Sequence, residues 1–220
     1  MTIEQFKCPH RAKNFSYVIS SPSSNKIAIV DPSFCDELLA TKLTEAQYDV
    51  QYIINTHAHF DHTWGNDTLK NIFPKAKLIA HTNTKYKPNA SSVDIAVEDG
   101  ESIWLDQLEI KILHTPGHTP EDICLLVNNS LITGDTLFVG KVGGTRDRET
   151  AKTQFESLKK LMQLPQDTKI YPGHNYGPSP SSTIQAEKEA NPFCLRLDNF
   201  ENFYWLKENW KTFKEKHNLD

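Results

Sequence analysis

The sequence predicts an α+β fold in which two mixed β-sheets pack face to face with helices on their outer sides, an αββα sandwich. Two observations carry that expectation. Val127-Asn128-Asn129-Ser130 reads as a tight hairpin between two short apolar runs, which makes the strands on either side of it antiparallel. Elsewhere strand and helix patterns alternate, which calls for parallel strands joined by crossovers. A purely parallel sheet has no room for the hairpin, whereas two packed sheets with outer helices accommodate both.

Strands are expected at about 15–20, 26–31, 50–55, 77–81, 108–114, 122–127, 130–133 and 168–172. The third carries the apolar run Tyr52-Ile53-Ile54 and the fifth the alternation Leu108-Glu109-Ile110-Lys111-Ile112. Helices are expected at about 34–46, 65–73 and 150–164, the last with Phe155, Leu158, Leu161 and Met162 on one face. The Pro/Ser-rich stretch Gly177-Pro178-Ser179-Pro180-Ser181-Ser182 marks a passage from a catalytic sandwich, residues 1–178, to a short helical tail, residues 179–220. Within the tail Ser182 is the expected helix cap, with Gln185 three residues on. Phe200, Phe203, Tyr204, Leu206, Trp210 and Phe213 follow at mostly helical spacing, as a packing face or as a lid over a substrate. No repeat at solenoid periods and no low-complexity tract is present.

A chain of 220 residues can form one large domain with a substantial core. Its net charge of -4 gives no electrostatic footprint for nucleic acid. Cys8, Cys35, Cys124 and Cys194 are widely spaced with no CxxC, so neither a disulfide framework nor a thiolate zinc site is expected, and a reducing compartment follows. The start, Met1-Thr2-Ile3-Glu4-Gln5-Phe6, lacks a charged leader and an apolar stretch, and no run approaches membrane-spanning length. A cytoplasmic protein with no membrane and no nucleic-acid partner is expected. The oligomeric state is left open.

The most informative segment is Thr56-His57-Ala58-His59-Phe60-Asp61-His62, which follows the Tyr52-Ile53-Ile54 run. Imidazole and carboxylate together suit Zn, Fe or Mn rather than Ca or Mg, which prefer oxygen shells. A strand running into a loop aims His57 and His59 to one side, and Asp61 and His62 follow round the turn, so two adjacent metal positions are natural. Further candidates stand just past other strands: His114 and His118 in His114-Thr115-Pro116-Gly117-His118, Asp135 in Gly134-Asp135-Thr136, and His174 in Pro172-Gly173-His174. Strand ends of one fold can deliver such residues to a common edge.

The string Thr56 to His62 matches the T-H-x-H-x-D-H signature of the metallo-β-lactamase superfamily, and His118, Asp135 and His174 stand in the order of its later motifs. The chain most resembles glyoxalase II (hydroxyacylglutathione hydrolase) within it. Gly134-Asp135-Thr136-Leu137-Phe138-Val139 and Gly173-His174-Asn175-Tyr176 carry that likeness, with Ser182-Thr183-Ile184, Glu187 and Asn191-Pro192-Phe193 resembling the start of that family's C-terminal helices. The resemblance implies the metallo-β-lactamase fold and two Zn2+ per chain. It implies one ion held by His57, His59 and His118, another by Asp61, His62 and His174, and Asp135 between them. A carboxylate has two oxygens able to serve two cations about 3.5–4 Å apart. His10, His81, His114 and His217 find no place in that pattern; His114 is expected to support or pack.

Zinc lowers the pKa of a bound water to about 7, so hydroxide becomes available to attack a carbonyl carbon. Asp61 would orient that hydroxide. A thiolate leaves without a strong general acid, so a small-molecule thioester is the expected substrate, with glutathione, CoA and carrier-protein thioesters all open. Glyoxalase II places a basic residue shortly after its G-D-T motif, where this chain has Gly144; Arg146 and Arg148 lie close enough to hold an anionic group instead. Tyr176 matches the glutathione-contacting tyrosine of the family. The basic pair of that family's last helix has no clear counterpart, although Lys207 and Lys211 are available. Two other readings remain. One is a persulfide dioxygenase using a single Fe2+ on His57, His118 and Asp135, and the other is a non-catalytic metal-binding module on the same fold.

Overall fold

The computed structural model describes residues 2–85 and 92–217. The first sheet contains β1 (Thr2–Lys7), β2 (Phe15–Ser20), β3 (Lys26–Val30), β4 (Asp49–Ile54), β5 (Lys77–His81) and β6 (Ile95–Val97), side by side in chain order. Its first two pairings are antiparallel and the remainder parallel. Parallel neighbours need crossovers, and helices α1 (Asp36–Glu45), α2 (Phe60–Thr63) and α3 (Asn66–Ile72) lie in them.

The second sheet begins with β7 (Ser102–Leu105), β8 (Leu108–His114), β9 (Ile123–Val127) and β10 (Ser130–Gly134), an antiparallel meander. A small ribbon of β11 (Leu137–Phe138) and β12 (Lys141–Val142) follows, then α4 (Arg148–Leu161). β13 (Lys169–Pro172) adds parallel to β10, and β14 (Ser182–Thr183) closes that edge, so the order is β14-β13-β10-β9-β8-β7. The tail forms α5 (Ile184–Ala190), α6 (Phe200–Glu208) and α7 (Trp210–His217). Its last three residues, 218–220, lie outside the described ones.

Burial explains the layers. Alternate side chains of a strand face opposite ways, and here both faces are covered. Tyr17, Ala28, Val30, Ile54 and Ile79 of the first sheet meet Ile110, Ile112, Leu125 and Ile132 of the second in one core. The intervening Val18, Ile27, Ile29 and Ile53 pack outward on Leu39, Leu43 and Leu69 of α1 and α3. On the far side, Leu113, Leu131 and Ile170 pack on Phe155, Leu158 and Leu161 of α4 and on Phe203 and Leu206 of α6. The αββα sandwich of two mixed sheets is therefore present.

All the expected strands form, with ends shifted by at most a residue. The four that the sequence did not announce in the two sheets, β1, β6, β7 and β14, are the four edges. An edge strand needs neither a continuous apolar run nor length, and polar residues there discourage pairing with other chains. The helix cap in the tail is Thr183 rather than Ser182. The Thr183 hydroxyl accepts from the Ala186 amide, while Ser182 is still paired to Ile170 in β14. The helix expected from residue 34 begins at Asp36, because Ser33–Cys35 makes a 3-10 turn first.

Phe155 is the keystone of the outer layer, with ring centroids 5.5 Å from Phe200 and 5.4 Å from Phe203. Phe155→Ala should cost about 3–5 kcal/mol of unfolding free energy. Chemical denaturation measures it, and a loss below about 1 kcal/mol would contradict this packing.

Candidate metal centre

The ends of three core strands and one long loop meet at one edge of the sandwich. His57 and His59 follow β4, Asp61 and His62 sit on the single turn of α2, Asp135 follows β10, and His174 follows β13. His118 lies in the loop between β8 and β9, whose turn is closed by the Thr119 amide and hydroxyl donating to Asp122 at 2.6 and 2.8 Å. The Gly173 amide donates to Gly134 O at 2.7 Å and brings His174 beside Asp135. Only glycine fits at position 173, since a Cβ there would stand 2.4 Å from Asp135 Oδ1.

All seven sequence-predicted metal residues come together. Ligand atoms of His57, His59 and His118 lie within 4.8 Å of one another, as do those of His57, His62 and Asp135 and those of Asp61, His62 and His174. Asp135 stands in the middle: Oδ1 is 3.3 Å from His62 Nε2, and Oδ2 is 3.5 Å from His118 Nε2 and 3.3 Å from His174 Nε2.

The ring orientations are fixed from outside. His62 Nδ1 donates to the Asp31 carboxylate, His174 Nδ1 to Ala12 O and His118 Nδ1 to Gly144 O, each at 2.8 Å. His57 Nδ1 donates at 3.1 Å to Thr56 Oγ1, whose own proton is spent on Asp31 Oδ2 at 2.6 Å. Those acceptors place a proton on each Nδ1 and leave Nε2 as an acceptor pointing inward. Three inward pairs are close: His57 Nε2 with His59 Nδ1 and His62 Nε2 with His174 Nε2 at 3.1 Å, and His118 Nε2 with His59 Nδ1 at 3.0 Å. Lone pairs facing one another at that distance repel unless something positive lies among them. Ligands about 2.0–2.1 Å from a tetrahedral Zn2+ stand about 3.3 Å apart, so the spacing suits that ion. Asp135 Oδ1, buried with no hydrogen-bond partner, points the same way.

In the absence of a cation, a proton on His62 takes its place. Burial opposes charge on His62, yet the Asp135 and Asp31 carboxylates hold it well above the usual histidine range. Burial likewise opposes ionisation of Asp135, and the imidazoles of His62 and His174 hold it well below the usual carboxylate range. Burial, then the neighbouring His62, holds His57 low.

Sequence reasoning missed the residues that brace this edge. Asp31 accepts from the Thr56 amide and hydroxyl and from His62. Asn14 Nδ2 donates to Asp61 Oδ2 at 3.0 Å, and Ser33 Oγ donates to Asp61 O at 2.5 Å. Asp31 had a signal, since it too stands directly after an apolar strand; Asn14 had none. The loops bearing these residues are joined by a Cys8–Cys35 disulfide with Cα atoms 5.1 Å apart. That corrects the expectation of no disulfide and removes the cysteine argument for a reducing compartment. Lys13, Asp31 and Ser33 in these loops hold φ of 59°, 45° and 45°, the left-handed region costly for non-glycine residues.

The expected substrate residues part company. Tyr176 stacks on His174 with centroids 4.5 Å apart and lines a cavity of about 520 Å³ with Lys141, Asn191 and Trp210. Arg146 and Arg148 do not reach it. The Arg146 side chain is 82% exposed and pairs with Asp147. Arg148 pairs with Glu201 and lies over the rings of Phe200 and Tyr204. The cation beside Tyr176 is Lys141, whose Nζ lies 4.2 Å from that ring. His114 stays outside the centre, stacked on His81 at 3.9 Å with Nε2 donating to Pro120 O.

A family model for the metallo-beta-lactamase superfamily matches residues 12–174, and the chain belongs to that superfamily. A probable hydroxyacylglutathione hydrolase, glo2 of Schizosaccharomyces pombe, is 32% identical over 199 residues, covering 86% of this chain and 75% of its own. A probable polyketide biosynthesis zinc-dependent hydrolase, BaeB of Bacillus velezensis, is 29% identical over 206 residues, covering 91% of this chain and 92% of its own. Among solved structures, ETHE1 from Myxococcus xanthus superposes with a TM-score of 0.84 at 27% identity, covering 96% of this chain and 91% of that one. No helix among the described residues is long and apolar enough to cross a membrane.

The disulfide is open to a direct count. Thiol titration of the denatured, unreduced protein should find two groups, Cys124 and Cys194, and four after reduction. Four before reduction would contradict the bond.

Proposed function

We propose that this chain is a zinc-dependent thioester hydrolase holding two ions, one on His57, His59 and His118 and the other on Asp61, His62 and His174, with Asp135 shared. The observation that carries the reading is the set of four imidazoles whose Nδ1 protons are committed outward while their Nε2 atoms converge on one buried carboxylate. Bound zinc would supply a Lewis acid for the carbonyl oxygen and a water acidified to a pKa of about 7. The similarity to hydroxyacylglutathione hydrolases and to a zinc-dependent hydrolase supports the choice of reaction and metal.

The chain's own groups do the remaining work. Asn14 holds Asp61 through Oδ2, the oxygen that also faces His62 and His174, so the Asp61 carboxylate would orient the attacking water. Tyr176, held flat against His174, forms the wall along which the thiol half leaves the centre for the cavity. There it meets Lys141, half-buried and without a carboxylate at ion-pair distance among the described residues. Burial pushes that ammonium below the usual lysine range, which an anionic group would reverse. The thiolate needs no general acid to depart, and a glutathione thioester fits this arrangement.

Purified protein should carry nearly two zinc per chain and hydrolyse S-lactoylglutathione. Asp135→Ala should deplete both ions, and His174→Ala mainly one. One iron per chain with oxygen uptake on glutathione persulfide would overturn the hydrolase in favour of the oxygenase that His57, His118 and Asp135 could serve.

Lys141→Met should raise KM for S-lactoylglutathione about tenfold and leave kcat nearly unchanged, because the contact is remote from the reacting carbon. A neutral N-acetylcysteamine thioester should be unaffected. Equal effects on both substrates would remove Lys141 from anion recognition.

A further inference from the structure

Lys207, on α6 of the tail, is an ammonium that faces no carboxylate at ion-pair distance among the described residues. It is sunk between the rings of Phe193 and Phe203, with Nζ 5.8 and 5.7 Å from their centroids. Burial pushes it down to about 7. Its partners are neutral: Nζ donates to Gly143 O at 2.7 Å and to Gln154 Oε1. Gln154, fully buried on α4, donates from Nε2 to the same Gly143 O at 3.1 Å. Both lone pairs of that carbonyl are therefore taken.

The segment so held is the one that aims a proposed ligand. Residues 143–145 have no regular structure, and Gly143 is wedged so tightly that a Cβ would stand 2.0 Å from Asp135 O and 3.2 Å from His118 Cβ. The next carbonyl, Gly144 O, accepts the His118 Nδ1 proton at 2.8 Å. Tail helix, Lys207, Gly143, Gly144 and His118 thus form one continuous chain of contacts.

We infer that Lys207 is a positioning residue for His118. By pinning the backbone at Gly143-Gly144 it fixes the acceptor that sets the His118 ring with Nε2 turned toward the other ligands. The inference rests on the reading of those residues as metal ligands. Stability alone does not account for a lysine here, because an apolar side chain of similar length would fill the space between Phe193 and Phe203 without the desolvation cost of an ammonium. The tail then does more than cover the outer face of the second sheet, because its α6 helps shape the metal centre across the full thickness of that layer.

The test is zinc titration against a competing chelator, with denaturation of the zinc-stripped protein measured alongside. In Lys207→Met one of two zinc affinities should fall, by up to the about 10–100-fold expected when the outer partner of a ligating histidine is itself lost. The other should hold, and the zinc-stripped variant should still fold, with no more than a modest loss from the Gln154 oxygen left unpaired. Lys207→Gln, which keeps a donor at a shorter reach, should recover part of the affinity. Unchanged zinc affinities in Lys207→Met would overturn the inference, and so would failure to fold or a stability loss without loss of zinc, which assign a purely structural role. Absence of zinc binding by the wild type would instead overturn the ligand reading, and this inference with it.

Discussion

The structure depends on where imidazole protons point. Four histidines of the centre each give their Nδ1 proton to an oxygen outside it: Thr56 Oγ1, the Asp31 carboxylate, Ala12 O and Gly144 O. With those protons committed, Nε2 of each neutral ring has only a lone pair to offer, and all four Nε2 atoms enter one small space around Asp135, where the carboxylates favour a proton on His62 until a cation replaces it. The acceptors come from the loop after β1, the end of β3, the end of β4 and the loop after β12. No local segment could supply them: three follow strands of the first sheet and one follows the small ribbon, while His118 and His174 themselves follow strands of the second sheet.

That arrangement stores cost. Nitrogen atoms 3.1 Å apart, a buried carboxylate oxygen with no partner, and three non-glycine residues at positive φ each oppose folding. A bound cation offsets the first two directly, and by linkage its affinity becomes folding free energy. The φ strain is held by other means: the Lys13 carbonyl accepts from the Asn175 amide at 2.8 Å beside the Asn14–His174 bridge, and Asp31 and Ser33 are clamped by Thr56, Asp61 and the disulfide.

How much of this was legible in the sequence follows from what each residue needs nearby. The seven proposed ligands stand just past apolar strands or in one dense run, so a local pattern marked them. The central strands, covered on both faces, announced themselves in the same way. Edge strands did not, because Thr2–Lys7 and Ser102–Leu105 satisfy only one side. The bracing residues were hidden for a different reason. Asn14 acts on Asp61 across 47 positions, Asp31 on His62 across 31, and Lys207 on Gly143 across 64. Cys8 and Cys35, 27 residues apart, have no spacing rule to reveal them. Arg146 and Arg148 show the converse: near in sequence to the G-D-T motif, they are turned to solvent and to the tail, and Lys141 holds the cavity.

The central claim is that these lone pairs are built around two cations that share Asp135. A crystal of the zinc-loaded protein, measured on both sides of the zinc absorption edge, addresses it most directly. The account predicts two anomalous peaks, one among His57, His59 and His118 and one among Asp61, His62 and His174, each within bonding distance of an Asp135 oxygen. A single peak, or a ligand set that leaves Asp135 out, would contradict it.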